Sequence, residues 1–351
     1  MSPAELDRHA TARRYAGHER ALAIDPANDA AREAMLDVLF ALNAPPLLPG
    51  CSLGLPWGAD LPRVAVVTPY YREPLYVLQR CAASVRAQTV PAIHVMVADG
   101  YPQSAIDAWP VRHIKFSRNN ANFGDTPRAR AGEVALELGC TAVAYLDADN
   151  WWRPRHLESL IARHVETGAH VCHSARTLHA SNGALMPLLE SGDNTVHVDT
   201  NCILVTEKAF DLLARWGGWP KPLSIIGDRM FWAATRSSGA ALACTGALTA
   251  AYTADRAGHY RALGWPVPAN ARSAMDFSGV LHWYDSLGDD ERRALDRAQG
   301  FEVGALLDAR RPRSEGTATR APSPAAPGAF GVHVPRVATV VTVSPTSPFE
   351  R

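Results

Sequence analysis

Three apolar runs, each closing on polar residues, constrain this chain more than any other feature. Val64-Ala65-Val66-Val67-Thr68 leads into Pro69-Tyr70, Ile93-His94-Val95-Met96-Val97-Ala98 into Asp99-Gly100, and Val143-Ala144-Tyr145-Leu146 into Asp147-Ala148-Asp149-Asn150. Runs of this length, apolar on both faces, are what strands buried between helix layers require. A fourth run spans Val111 to Phe116. Helical spacing separates the runs. Leu75, Leu78, Ala82 and Val85 recur at three and four residues, residues 126–138 accept a helix with Pro127 in its first turn, and another helix follows Pro154. Strand alternating with helix predicts an α/β domain built on a mainly parallel, Rossmann-like sheet flanked by helices. In such a sheet ligands bind beyond the carboxyl ends of the strands, so the polar run-ends converge on one edge.

At that edge Asp147 and Asp149, two residues apart after a buried strand, can reach one hard cation together. Mg²⁺ or Mn²⁺ is commonly held by one or two carboxylates plus substrate phosphates. A solvated acidic turn is the plain alternative, since Asp and Asn favour turns. Trp151 and Trp152 are candidates to wall a pocket, and equally candidates for the core.

The segment from Arg63 to Ile161 resembles the donor half of glycosyltransferase family 2, and the resemblance extends more weakly to residue 250. The matching elements are the opening strand with Thr68-Pro69-Tyr70, Ser84-Val85-Arg86-Ala87-Gln88-Thr89, Asp99, Asn122-Phe123-Gly124 followed by Ala129-Arg130, and the Asp147-Ala148-Asp149 triplet. It implies a GT-A fold, with Thr68, Pro69, Tyr70, Asp99, Arg130 and Asp147 at the nucleotide sugar and Asp147 and Asp149 on Mn²⁺ or Mg²⁺. Asp99 would read the base, and a carboxylate there suits the N3–H of uracil, which favours a UDP-sugar. Further on, Gly217-Gly218-Trp219 precedes Gly227-Asp228-Arg229, where the family carries an acidic pair. That makes Asp228 the candidate general base, with helix capping as its ordinary alternative. The implied reaction is inverting transfer of a sugar to an acceptor hydroxyl on a glycan, a lipid-linked carrier or a protein. The chain departs from the family pattern at Ala98 and Gly227, each standing where an acid is usual, and in one extra residue before Ala129-Arg130.

Two other functions remain open at this point. A sugar nucleotidyltransferase shares the acidic metal site, but it opens with a Gly-rich loop, and Thr68 to Arg72 holds no glycine. A non-catalytic nucleotide-sugar-binding scaffold fits the missing acids. His259 is a further candidate for a donor contact.

Composition limits the partners and the compartment. Apolar residues make up 47% of the 351, enough for a sizeable core, and 35 basic side chains balance 35 acidic ones. Zero net charge argues against nucleic acid as the main partner. The six cysteines, Cys51, Cys81, Cys140, Cys172, Cys202 and Cys244, form no metal-module spacing. With no apolar leader and no run near the ~18 residues of a membrane span, the expectation is a cytoplasmic protein with room for peripheral membrane association.

The expected organisation has four parts. Residues 1–43 form a helical extension resembling a single tetratricopeptide-like unit around Asp25-Pro26, and 44–62 are a Pro- and Gly-rich linker. Residues 63–309 form the transferase-like domain, divided into a nucleotide-sugar half (63–166) and an acceptor half (167–309). Residues 310–351 are read as a mostly disordered tail rich in Pro, Ser and Ala. In the acceptor half the expectations are a strand over 198–205, a helix over 207–216, a helix from about Asp228 to Arg236 and a strand over 240–251.

Overall fold

A computed structural model describes residues 61–186 and 197–311. The expected N-terminal helical extension, nearly all of the linker and the tail from residue 312 lie outside these residues. The four runs are strands β1 (Val64–Tyr70), β2 (Ala92–Asp99), β3 (Arg112–Phe116) and β4 (Ala142–Tyr145). Between them stand helices α1 (Leu75–Arg86) and α2 (Asp125–Glu137), and α3 (His156–Thr167) follows. The order β3-β2-β1-β4 is parallel throughout, with Val64 level with both Ala92 and Ala142. Every residue of β1 is buried, as a strand covered on both faces must be. The carboxyl ends of β1, β2 and β4 therefore lie along one edge.

The Ser84-to-Thr89 segment fixes this edge from behind. Gln88 Nε2 donates to the carbonyl oxygens of Ser84 and Arg153, its Oε1 accepts from the Leu157 amide, and Thr89 Oγ1 donates to Glu158. The end of α1 is thereby tied to the start of α3, and the chain leaving β4 is held between them.

Beyond β4 the sheet continues through β8 (Ile203–Thr206), β6 (Val171–His179), β9 (Leu242–Thr253) and the two-residue β5 (Trp151–Trp152), while β7 (Leu185–Met186) pairs with β6. β8 runs antiparallel to β4 and β6, and β6 is parallel to β9. The strand expected over 198–205 is shorter, because Thr200–Cys202 form a 3-10 turn in which the Asp199 side chain accepts from the Asn201 amide. The helix expected over 207–216 is a pair of 3-10 turns over Glu207–Arg215, broken at Ala209, where φ is −133°. Helix α4 (Gly227–Ser237) begins at the expected place. It is followed by α5 (Ala257–Ala262), α6 (Ser278–Ser286), α7 (Asp289–Gln299) and α8 (Val303–Asp308). Arg311, inside the span expected to be tail, is ordered by ion pairs to Asp285 and Asp308.

Trp151 and Trp152 are 1% exposed each and belong to the core. Arg80 lies over the Trp151 ring at 4.1 Å, and Trp152 stacks on His156 with centroids 4.2 Å apart. Cys81, Cys140 and Cys172 are buried, and burial pushes the Cys81 thiol up to about 12, so they act as small packing residues. Among the described residues no helix is long and apolar enough to cross a membrane.

Candidate active site

The end of β1 turns its first polar residues inward. Thr68 is fully buried with Oγ1 2.9 Å from His94 Nε2, and burial lowers that imidazole to about 3, so it is neutral. Tyr70 is 2% exposed, and its hydroxyl accepts from the Gln103 amide. Pro69 is buried between them. The side chains of Thr68, Pro69 and Tyr70, expected at a nucleotide, are thus part of the core. The chain reaches solvent one residue later, at Tyr71 and Arg72. These two line a cleft of about 380 Å³ together with Glu73, Arg80, Asp149, Thr253, Asp255, Tyr260 and Arg272. Of the residues expected at the site, Asp149 opens onto this cleft. Tyr260, next to His259, comes to its wall from α5.

Asp99 closes β2 and is 5% exposed. Its Oδ1 accepts from both the amide and the side-chain nitrogen of Asn120, at 3.0 and 2.6 Å. That approach depends on Gly100, whose φ is +91° and whose Cβ, if present, would lie 2.3 Å from the Asn119 nitrogen. No side chain fits there. The loop that supplies Asn120 also holds Ala121 and Phe123 at φ of +53° and +54°, an uncommon backbone for non-glycine residues that tends to collect at functional sites.

Asp147 and Asp149 follow β4 as expected, but their environments differ. Asp147 is held on every side. Arg128 Nη2 donates to its Oδ1 at 2.5 Å, and Asn201 Nδ2 donates to its Oδ2 at 3.2 Å. Asn201 Oδ1 accepts from the Asp147 amide at 2.6 Å. Asp149 lies at the cleft without such compensation. Burial first, then the charge of Asp147, raise its carboxyl to about 7, with Glu73 and Asp255 adding to the effect and Arg272 opposing it. The loop carrying it is anchored through its carbonyl oxygen, which accepts from Arg80 at 2.7 Å and from Thr253 at 2.5 Å. Two neighbouring carboxyl groups, one of them desolvated, are a donor set that suits a hard divalent cation once both are ionised. Among the described residues no group of three His, Cys, Asp or Glu side chains could hold a metal ion alone, so oxygen atoms of a ligand would complete the shell.

Arg130 does not join this group. It sits on the exposed face of α2, paired with Glu133 at 2.7 Å and Glu137 at 3.3 Å. Arg128, two positions earlier, is the one turned to Asp147. It also donates to the Phe123 carbonyl at 2.9 Å, and its guanidinium lies 4.8 Å from the Trp216 ring centroid.

Asp228 stands in the first turn of α4, whose cap is Ile226, so it is not the capping residue. Its Oδ2 lies 2.7 Å from His197 Nε2, and its Oδ1 accepts from the Arg229 amide at 2.8 Å. Burial alone would raise this carboxyl. The His197 bond and the Arg229 guanidinium outweigh burial and hold it well below the usual carboxylate range. Nearby, Asp125 opens α2 at 1% exposure and accepts from Trp219 Nε1 at 2.8 Å. Burial raises it to about 6, opposed by Ser224, Arg128 and Trp219 and reinforced by Asp228.

Four residues of this constellation were not singled out in the sequence: Arg128, Asn201, His197 and Asp125. Arg128 stands two residues before Arg130, about 200° around α2, so the Ala129-Arg130 match pointed to the outward face.

Residues 65–211 match the sequence model of glycosyl transferase family 2, and this segment resembles that family. Succinoglycan biosynthesis protein ExoW of Rhizobium meliloti (strain 1021) is 34% identical over 101 residues, covering 27% of this chain and 32% of ExoW. The chain thus spans about a third of that curated relative. Among solved structures, residues 1–349 of S. aureus TarS in complex with UDP-GlcNAc align at 13% identity with a TM-score of 0.45, covering 72% of this chain and 77% of that one. The UDP complex of the same TarS fragment aligns at 13% identity and a TM-score of 0.44, covering 54% and 60%.

Proposed function

We propose that this chain is an inverting glycosyltransferase that moves a sugar from a UDP-sugar to an acceptor hydroxyl with the help of Mn²⁺ or Mg²⁺. The observation that carries the reading is the shared edge of β1, β2 and β4. Asp99, Asp147 and Asp149 follow or close strands in parallel register, within a segment that resembles a glycosyltransferase family.

The residues divide the work. Asp149, with Asp147 behind it, would hold the cation, and a bound divalent ion supplies neutralisation of the charge that develops on the departing diphosphate. Arg72, Arg80 and Arg272 add positive charge around the cleft. Asp99 keeps Oδ2 for the base, because Asn120 occupies Oδ1. Asp228 accepts the acceptor hydroxyl's proton while that oxygen forms its bond to the anomeric carbon. The bond from that carbon to the diphosphate oxygen breaks on the opposite face. The bond to His197 keeps Asp228 ionised at neutral pH and lowers its basicity, so proton transfer accompanies attack rather than preceding it. The acceptor is a glycan, a lipid-linked carrier or a protein hydroxyl.

The test is a panel of nucleotide sugars with and without Mn²⁺, read first by thermal shift and then by release of nucleoside diphosphate. Metal-dependent stabilisation with release upon addition of an acceptor supports the reading. Stabilisation with no release from any sugar–acceptor pair leaves a binding protein, and release of pyrophosphate from a nucleoside triphosphate would mark a nucleotidyltransferase.

A further inference from the structure

We infer that Asp125 is a positioning residue of the donor site, occupying the space that Gly227 leaves open and setting, through Arg128, the charge available at Asp147. The inference rests on the donor-site reading above.

The starting point is a glycine at the first residue of α4. A Cβ built on Gly227 would lie 2.8 Å from Asp125 Oδ1. Its φ is −55°, an ordinary helical value, so the backbone does not demand glycine there. Space does: the carboxylate of Asp125 fills the place where a side chain at 227 would begin. The chain therefore has an acid beside Asp228 after all, brought from α2 rather than from the preceding residue.

That acid is connected to the strand-end carboxylates. Arg128 Nη1 lies 4.0 Å from Asp125 Oδ1, while its Nη2 donates to Asp147. One guanidinium, 8% exposed as a residue, thus serves two carboxylates. Asp125, Asp147 and the guanidinium they share carry one net negative charge, beside the separate carboxylate of Asp149. Remove the charge of Asp125 and that net charge is gone, and Arg128 then bears on Asp147 alone. Both changes weaken the hold on a cation. Trp219 Nε1, donating to Asp125 Oδ2, fixes the carboxylate in orientation without altering this charge balance.

The experiment is Mn²⁺ titration followed by electron paramagnetic resonance at pH 8 in the presence of saturating UDP, which needs neither sugar nor acceptor. In Asp125→Asn, which keeps the shape, Mn²⁺ should bind about 10-fold more weakly, the scale of losing one unit charge near a divalent ion in a partly screened site. Trp219→Phe should stay within about 2-fold, because only a hydrogen bond is lost. Returning the charge from the other side, in Asp125→Ala/Gly227→Asp, should restore binding to within about 3-fold. If the parent takes up no Mn²⁺ with UDP, the donor-site reading falls and this inference with it. If the parent binds and Asp125→Asn binds equally well, the inference alone is overturned. An equal loss in Trp219→Phe would assign Asp125 to packing and overturn it too. Should Asp125→Asn fail to fold, the double variant decides, with parental affinity supporting the inference and a tenfold loss refuting it.

Discussion

His197 Nε2 lies 2.7 Å from Oδ2 of Asp228, across 31 residues of chain. This bond, with the Arg229 guanidinium beside it, sets the carboxylate's protonation state and so what Asp228 can do in a reaction. Asp228→Asn keeps the shape and removes the proton acceptor. Transfer rate should fall at least ~10²-fold with donor affinity within a few-fold of the parent. Steady-state kinetics beside calorimetric donor binding checks this, and a near-parental rate would place the base elsewhere.

Removing the imidazole tests the same pair from the other side. As the proposed base Asp228 would act only when ionised, so the acid limb of the rate profile should follow its pKa. In the parent that limb should lie below the usual carboxylate range. In His197→Ala the largest opposing influence on burial is gone, the pKa rises, and the acid limb should move to higher pH. An unmoved limb would mean that Asp228 does not set it.

Asp149 makes a prediction about stability without metal. Its folded-state pKa of about 7 lies above the ordinary 3.8. The native state then holds a proton that the unfolded chain releases, and stability declines as pH rises from about 4 to 7. Asp149→Asn removes that penalty. In chelator, its melting temperature should exceed the parent's at pH 8 and match it near pH 4. The gain is about 1–2 kcal/mol after discounting for partial exposure. A differential scan at the two pH values reads the effect, which should be absent if the carboxyl titrates normally.

Asp99→Ala should weaken UDP binding by roughly 1–3 kcal/mol, since a base N–H would lose its acceptor and Asn120 its anchor. UMP, which keeps the base and loses one phosphate, should show the same loss. Tight binding of UDP by the variant would mean that Asp99 does not touch the base.

A chain ending at Glu315 should melt at the same temperature as the full chain, because residues beyond it are too poor in apolar content to bury a core. The run Val337 to Val343 is the segment to suspect if the shortened chain melts early.

The parallel part of the sheet was legible because buried parallel strands read as unbroken apolar runs, and the strand ends then follow from parallel register. Rotation and distance hid the rest. Arg128 and Arg130 are two residues apart, about 200° around a helix, so they lie on opposite faces, and a match on residue type alone does not say which one turns inward. Asn201 meets Asp147 across 54 residues, and no local pattern announces such a pairing. The 3-10 turn at Thr200–Cys202 rests on a local bond, the Asp199 side chain accepting from the Asn201 amide two residues on, and the polar run Asp199-Thr200-Asn201 is the signal that breaks the strand there. At Gly227 the nearby acid is Asp125, whose carboxylate fills the space a side chain there would enter, and no local pattern joins two residues so far apart in the chain.

The Asn201 clamp also bears on how such a chain can be recombined. Asp147 takes both an amide partner and a carboxylate partner from a residue that lies beyond α3 and β6, and β8 closes the edge of β4 immediately afterwards. A chimera joined at Thr167, the apparent midpoint, would separate Asp147 from a side chain matched to it. Grafts that import a foreign acceptor-recognition segment should cross over after Thr206, where the strand-end acids and their clamp travel together as one inherited unit.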